Sequence, residues 1–285
     1  MKPMNKHNLA PIGVFDSGIG GLTVVAEMLR QMPHESLIYY ADTAHVPYGP
    51  RDPRELKGFA FGITRFLIGL GCKMVIIACN TSTSLAYEEM QETYDIPLVG
   101  VIEPGVDRAL QTTKNGRIGV IATEATVKSG SYQKMLIKKN AAVEVVAQPC
   151  PLFVPFVEEG RLDGEEVERA ARSYLGPLCE KDIDTLILGC THYPFLLPVI
   201  TQTTGPFVTP VDPARETVKR AVDKLKELNL LREEGNPVCR YLASGDAAVF
   251  ARLGSFFLKR EIGPVEKVPP VETAFSDKAA TRIMR

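Results

Sequence analysis

Short apolar runs alternate with helix-like segments almost from one end of this chain to the other, and that alternation leaves few folds open. Candidate strands lie at 12–15, 37–41, 74–78, 98–101, 117–121, 143–147, 185–188 and 207–210. Between them the apolar spacing changes to that of helices. In one such segment Asp52 and Pro53 read as an N-cap and a first-turn proline, and Leu56, Phe59, Ile63, Phe66, Leu67 and Leu70 recur on one face. Gly71 reads as the C-terminal stop. A second helix is expected from Pro213 to about Leu228, opened by Asp212. Strand–helix alternation implies parallel sheets covered by helices, and strands apolar on both faces suit buried parallel sheet. With 285 residues there is length for two domains or one large one.

An internal repeat favours two. Ile12-Gly13-Val14-Phe15-Asp16-Ser17 resembles Ile118-Gly119-Val120-Ile121-Ala122-Thr123, and the run from Met74 to Cys79 resembles the run from Thr185 to Cys190. The offsets agree, with 67 residues from Ile12 to Cys79 and 72 from Ile118 to Cys190. Two similar α/β units follow, each with a cysteine just past a buried strand. The segment from about Val211 is expected to pack back onto the first unit, because the second repeat is complete by then.

In open α/β sheets ligands bind beyond the carboxyl ends of the strands. Cys79 and Cys190 are expected there, each entering a polar turn before a helix. Backbone N–H groups at such a helix start favour an anion and are expected to bring a thiol pKa toward neutrality. Asn80-Thr81-Ser82-Thr83 and Thr191-His192 follow the cysteines and can donate hydrogen bonds to a carboxylate. Either cysteine alone reads equally well as a buried structural thiol; the matched pair favours function. Cys72, Cys150, Cys179 and Cys239 lack that context and read as small buried hydrophobes. Asp16, in Asp16-Ser17-Gly18-Ile19-Gly20-Gly21, reads either as a carboxylate that binds ammonium or steers a proton, or as a helix N-cap in a glycine turn. The turn from Asp42 to Gly49 reads equally as an ordinary loop. His192, two residues from Cys190, is too close for a typical zinc pair and suits the tuning of a thiol.

Several classes are poorly supported. The formal net charge of −1 advertises neither nucleic acid nor an anionic membrane. No run approaches the roughly 20 apolar residues of a membrane span. The polar start MKPMNKHNLAP argues against a signal peptide, so a cytoplasmic location with reduced thiols is expected. There is no Cys-x-x-Cys pair, no HExxH, no phosphate-loop motif and no GxGxxG. No arginine follows either cysteine as a cysteine phosphatase requires.

The blocks IGVFDSGIGGLTV, YYADTAHVPYG, IIACNTSTS, GVIEPG and ILGCTHYPFL resemble the glutamate racemase family, in that order and spacing, over about residues 11–268. The resemblance implies an α/β fold of two similar doubly wound parallel-sheet domains related by pseudo-twofold symmetry, with the active site between them. The units would be 1–100 with 211–268, and 101–210; the tail at 269–285 receives no role. It implies interconversion of L- and D-glutamate without a cofactor or metal, supplying D-glutamate for peptidoglycan. Cys79 and Cys190 would be the acid/base pair, Cys79 taking the proton from D-glutamate and Cys190 from L-glutamate. Asp16 and His192 resemble the supporting groups beside them, and also the groups that meet substrate. Ser17, Tyr48, Gly49, Asn80, Thr81 and Thr191 match positions that hold it. Glu158 resembles a further carboxylate near the second cysteine, although Glu159 adjoins it. The partner implied is the small-molecule substrate, with no nucleic acid or membrane; a homodimer is left open. The alternatives are a sister enzyme acting on aspartate or a related acid, and a binding protein with two α/β lobes, which would not need matched cysteines.

Overall fold

The computed structural model describes residues 6–272. The first five residues of the polar start and positions 273–285 of the tail lie outside the described residues. A short 3-10 turn at Lys6–Leu9 leads into the first sheet. The first half of the chain gives β1 (Ile12–Asp16), α1 (Leu22–Gln31), β2 (Leu37–Ala41), α2 (Pro53–Gly69), β3 (Met74–Ile77), α3 (Asn80–Thr93), β4 (Leu98–Gly100) and α4 (Ile102–Thr112). Then come β5 (Arg117–Ala122), α5 (Glu124–Ser129), α6 (Ser131–Lys139), β6 (Glu144–Pro149), α7 (Phe153–Glu158), α8 (Glu165–Cys179) and β7 (Thr185–Gly189). A 3-10 turn (Tyr193–Leu196) and α9 (Leu197–Thr204) precede β8 (Thr209–Val211), α10 (Ala214–Glu227), β9 (Cys239–Ala243), α11 (Ala247–Leu258) and β10 (Val265–Lys267).

The strands form two sheets, ordered β10-β9-β2-β1-β3-β4 and β6-β5-β7-β8, and every pairing is parallel. The order β2-β1-β3-β4 is therefore repeated as β6-β5-β7-β8. The register repeats too, since Ile12 faces Leu37 and Met74, and Ile118 faces Val145 and Thr185. Similar sequences thus occupy equivalent backbone positions.

Alternation of side chains along each strand divides the core. Val14, Tyr39 and Ile76 point into one cluster with α1 and α11, while Phe15, Tyr40 and Ile77 point to the other face, against α2 and α3. In the second sheet Leu186 and Leu188 join the first of these clusters with α8, and Val120 and Ile187 face α4 and α6. Both sheets are covered on both faces, as strands with no polar side require. The first cluster runs through both sheets without interruption.

Local signals explain the helices. Asp52 accepts the Arg54 N–H at 2.8 Å with Pro53 in the first turn, and Gly71 turns the chain out of α2 at φ +81°. Asp212 accepts the Ala214 N–H at 2.9 Å at the start of α10. Two expectations need correction. The strand placed at 207–210 begins at Thr209, because Phe207 is exposed and pairing with β7 starts one residue after Val208. The strand placed at 143–147 runs over Glu144–Pro149, following the register of β5 to its end. Two strands, β9 and β10, carry no clear signal: Arg240 of β9 is held by Glu266 of the edge strand β10, and these charges interrupt the apolar pattern. The chain reaches β9 past a buried ion pair. Lys73 meets Glu35 at 2.7 Å and also donates to the Leu230 carbonyl, and Glu35 accepts the Arg232 N–H. These contacts pin the connection from α10 to the first sheet.

Candidate active site

Cys79 ends the run of β3 and is itself the N-cap of α3, in an extended conformation with its sulfur 3.5 Å from the Ser82 N–H. No polar turn intervenes, so Asn80, Thr81, Ser82 and Thr83 form the first helical turn rather than a loop before it. Cys190 stands at the equivalent end of β7. There Tyr193–Leu196 first forms a 3-10 turn, with Pro194 and Pro198 in the opening turns of the two successive helical pieces. The two cysteines reach helices differently because only the first stretch is free of proline.

Both thiols line one cleft of about 660 Å³, mouth included. Ser17, Tyr48, Gly49, Asn80, Thr81, Thr191 and His192 line it with them. Asp16 and Glu158 stand behind these. Asp16 is fully buried; its carboxylate accepts the Gly21 and Gly18 N–H groups at 2.9 and 3.3 Å and the Thr191 hydroxyl at 3.3 Å. Glu158 accepts from His192 Nε2 at 2.7 Å and from the Ile19 N–H at 3.0 Å. Its neighbour Glu159 points outward to Arg161. His192 Nδ1 stands 3.6 Å from Cys190 Sγ, so the chain Cys190–His192–Glu158 is continuous.

The glycines of the first turn make this contact between the sheets possible. A side chain at Gly18 would collide with Glu158, and one at Gly20 with Thr191 and His192. Tyr48 is fixed from outside the cleft. Its hydroxyl donates to Asp42 at 2.6 Å, and the same buried carboxylate holds His45 Nδ1 and the Ser244 hydroxyl, each at 2.9 Å. His45 stacks on Phe59 of α2, with ring centroids 4.0 Å apart.

Electrostatics separate the two thiols. Burial pushes the Cys79 thiol up to about 12, with the Asp16 charge adding to the rise and the Ser82 donors opposing it. The expected move toward neutrality at the helix start is thereby reversed, since desolvation outweighs the helix N-terminus. Asp16 is itself raised by burial, against the pull of His192 and two N–H groups. Burial works against a charge on His192, yet hydrogen bonds and charges at Cys190 and Glu158 hold its pKa well above the usual histidine range. Burial also opposes the charge on Glu158, but His192 and the Ile19 N–H keep its pKa low. The hydrogen bond between them thus favours the charged form of each partner.

Several lining residues escaped the sequence reading. Thr123 and Glu124 border the cleft beside Thr81, and Thr81, Thr123 and Thr126 share a chain of buried hydroxyls at 2.9–3.3 Å. Thr123 is the repeat counterpart of Ser17, so the signal was present in the repeat. Tyr132 donates to Asn80 Oδ1 at 2.6 Å from the second sheet's side. Cys150, read as a structural thiol, also lines the cleft. Burial raises its pKa, and the neighbouring Cys190 adds to the rise. Among the described residues no group of three His, Cys, Asp or Glu side chains is placed to hold a metal ion, and no helix is long and apolar enough to cross a membrane.

One cleft with a thiol at each of two matched strand ends offers two proton-transfer groups to a single bound ligand. Comparison with known proteins identifies the family. The profile of the Asp/Glu/Hydantoin racemase family matches residues 12–221. A glutamate racemase of Corynebacterium diphtheriae is 47% identical over 261 residues, covering 91% of this chain and 98% of its own. A glutamate racemase isoform of Bacillus anthracis superposes with a TM-score of 0.89 at 38% identity, over 93% of this chain and all of that one. The Francisella tularensis glutamate racemase, solved in complex with D-glutamate, gives 0.86 at 40% identity, over 92% of this chain and 98% of that one. The chain belongs to the Asp/Glu/Hydantoin racemase family.

Proposed function

We propose that this protein interconverts L- and D-glutamate by proton transfer at two cysteines, in the cytoplasm, and supplies D-glutamate for peptidoglycan. The observation that carries the reading is the pair Cys79 and Cys190, equivalent in the repeat and lining one cleft. The units 1–100 with 211–268, and 101–210, each contribute one thiol. One thiolate removes the α-proton from one face of the substrate, and the opposite thiol returns a proton to the other. Cys79 acts on D-glutamate and Cys190 on L-glutamate.

The remaining groups divide the work. Ser17, Tyr48, Gly49, Asn80, Thr81 and Thr191 hold the substrate with hydroxyl, amide and backbone donors. His192 meets both the substrate and Cys190, Asp16 acts from behind the lining through Thr191 and its charge near Cys79, and Glu158 acts through His192. The α-proton of an amino acid is very weakly acidic. Donors already fixed in a largely closed cleft must therefore stabilise the developing negative charge. No cofactor enters this scheme; both proton carriers are side chains of the chain itself.

Purified protein with L-glutamate in D₂O tests the reading. The optical signal should decay to zero, and the product should carry deuterium at Cα. Equal behaviour is expected from D-glutamate, with aspartate turned over far more slowly. Faster turnover of aspartate, or no exchange with either enantiomer of glutamate, would overturn it.

A further inference from the structure

The first turn of α3 reads Asn80-Thr81-Ser82-Thr83-Ser84, and its polar side chains have clear duties except one. Asn80 Oδ1 accepts from Tyr132, and Thr81 bonds to Thr123. Thr83 donates to the carbonyls of Ile77 and Cys79, and Ser84 to that of Thr81. Ser82 Oγ is fully buried and makes no full hydrogen bond among the described residues, although it faces Cys79 closely enough to favour the ionised form of that thiol. Leaving a buried hydroxyl unpaired costs free energy, so its presence calls for a state in which it is paired. The residue that bears it already points its N–H at Cys79 Sγ from 3.5 Å.

We propose that the Ser82 hydroxyl is reserved for the Cys79 thiolate. While Cys79 carries its proton, the sulfur is a weak acceptor and the hydroxyl is idle. When Cys79 ionises, Ser82 Oγ–H turns to it and forms a charge-assisted hydrogen bond beside that of the Ser82 N–H. No bond is made or broken in Ser82; it is a positioning residue that favours one protonation state of its neighbour. An interaction present only in the reactive state speeds reaction, whereas one present throughout does not. Cys79 has particular need of such a donor, because burial and the Asp16 charge both oppose its ionisation. The other titratable groups facing it, Cys190, Tyr48 and Tyr39, supply no positive charge. Cys190, by contrast, has His192.

The inference rests on the two-cysteine reading, but its test does not depend on turnover. In Ser82→Ala the rate of iodoacetamide alkylation at Cys79, followed by peptide mass spectrometry at fixed pH, should fall about tenfold, as expected for loss of one hydrogen bond to a charged group. Alkylation at Cys190 should be unchanged, and racemisation should drop by a similar factor. The melting temperature should hold or rise, because a buried unpaired hydroxyl is removed. A merely structural serine predicts the reverse: a lower melting temperature with unchanged Cys79 alkylation, which overturns the proposal. Full racemisation by Cys79→Ala would instead defeat the two-cysteine reading, while the alkylation rates still decide what Ser82 does.

Discussion

The two sheets place equivalent backbone around the cleft and decorate it differently. Asp16 at the end of β1 corresponds to Ala122 at the end of β5, and Asp42 just past β2 corresponds to Cys150 just past β6. Even the backbone bonds correspond, Asp42 N–H to the Asp16 carbonyl at 3.0 Å and Cys150 N–H to the Ala122 carbonyl at 2.9 Å. The first half therefore keeps two buried carboxylates where the second has small apolar groups. After the cysteines the bias reverses, since Asn80-Thr81 matches Thr191-His192. A fold duplicated in this way places two thiols on one cleft. Divergence at a few strand ends then gives each thiol its own surroundings, the Asp16 carboxyl group near Cys79 and the His192 imidazole beside Cys190.

The strongest way to break this comparison is to remove each thiol in turn. Cys79→Ala and Cys190→Ala should each lower racemisation by at least about 10²–10⁴-fold, the usual worth of a general base. Melting should change little by comparison. If both variants turned over near the wild-type rate while folded, the duplicated cysteines would have no shared role.

A narrower test addresses His192. Glu158→Gln keeps the shape but removes the charge that helps hold His192 protonated. Loss of a charged hydrogen bond should lower kcat/KM about 10–100-fold. The sign of the pH effect is fixed as well. Without the carboxylate the His192 pKa falls, so the alkaline limb of the kcat/KM profile should move to lower pH. A limb that stays in place would mean that the pair does not sustain the charge. The stability of the pair behaves oppositely at the acid end. The folded pKa of Glu158 lies below its ordinary 4.5, so its contribution is present above that value and lost as pH falls through the lower one.

The smallest effect is expected where the halves agree best. Thr123 is the counterpart of Ser17, caps α5 and shares its hydroxyl with Thr81 and Thr126. Thr123→Val should raise KM about fivefold and lower the melting temperature slightly, the consequence of one lost cap and hydroxyl contact. An unchanged KM would confine Thr123 to capping and leave Ser17 without a functional partner.

Much of this molecule is legible in its sequence where local chemistry and tertiary role coincide. The strands at 12–16, 37–41, 74–77 and 185–189 are apolar but for Asp16 and Thr185 at their ends, because both their faces are buried. Asp52 and Asp212 announce helices because a cap is decided within a few residues. What escapes depends on distance along the chain. Arg240 of β9 makes sense only beside Glu266, and Cys150 only when β6 is aligned next to β5. The pKa of Cys79 departs from the local expectation for the same reason, since a helix start is visible in the sequence but the depth of burial is not.

Five buried or half-buried hydrogen bonds already described, or adjoining those described, cross between elements of the two sheets: Thr191 to Asp16, Ile19 to Glu158, Tyr132 to Asn80, Thr81 to Thr123, and the Ser131 hydroxyl to the Ser84 carbonyl at 3.0 Å. They lie around the cleft like rivets through two plates. Swinging the plates apart would strand polar groups on both, at about 1–3 kcal/mol for each group left dry and unpaired. The rim of the cleft carries exposed Pro47 and Pro50, which flank Tyr48 and Gly49. Ligands large enough to wedge the two halves apart should bind poorly, while slender ones that slip past those prolines should compete well.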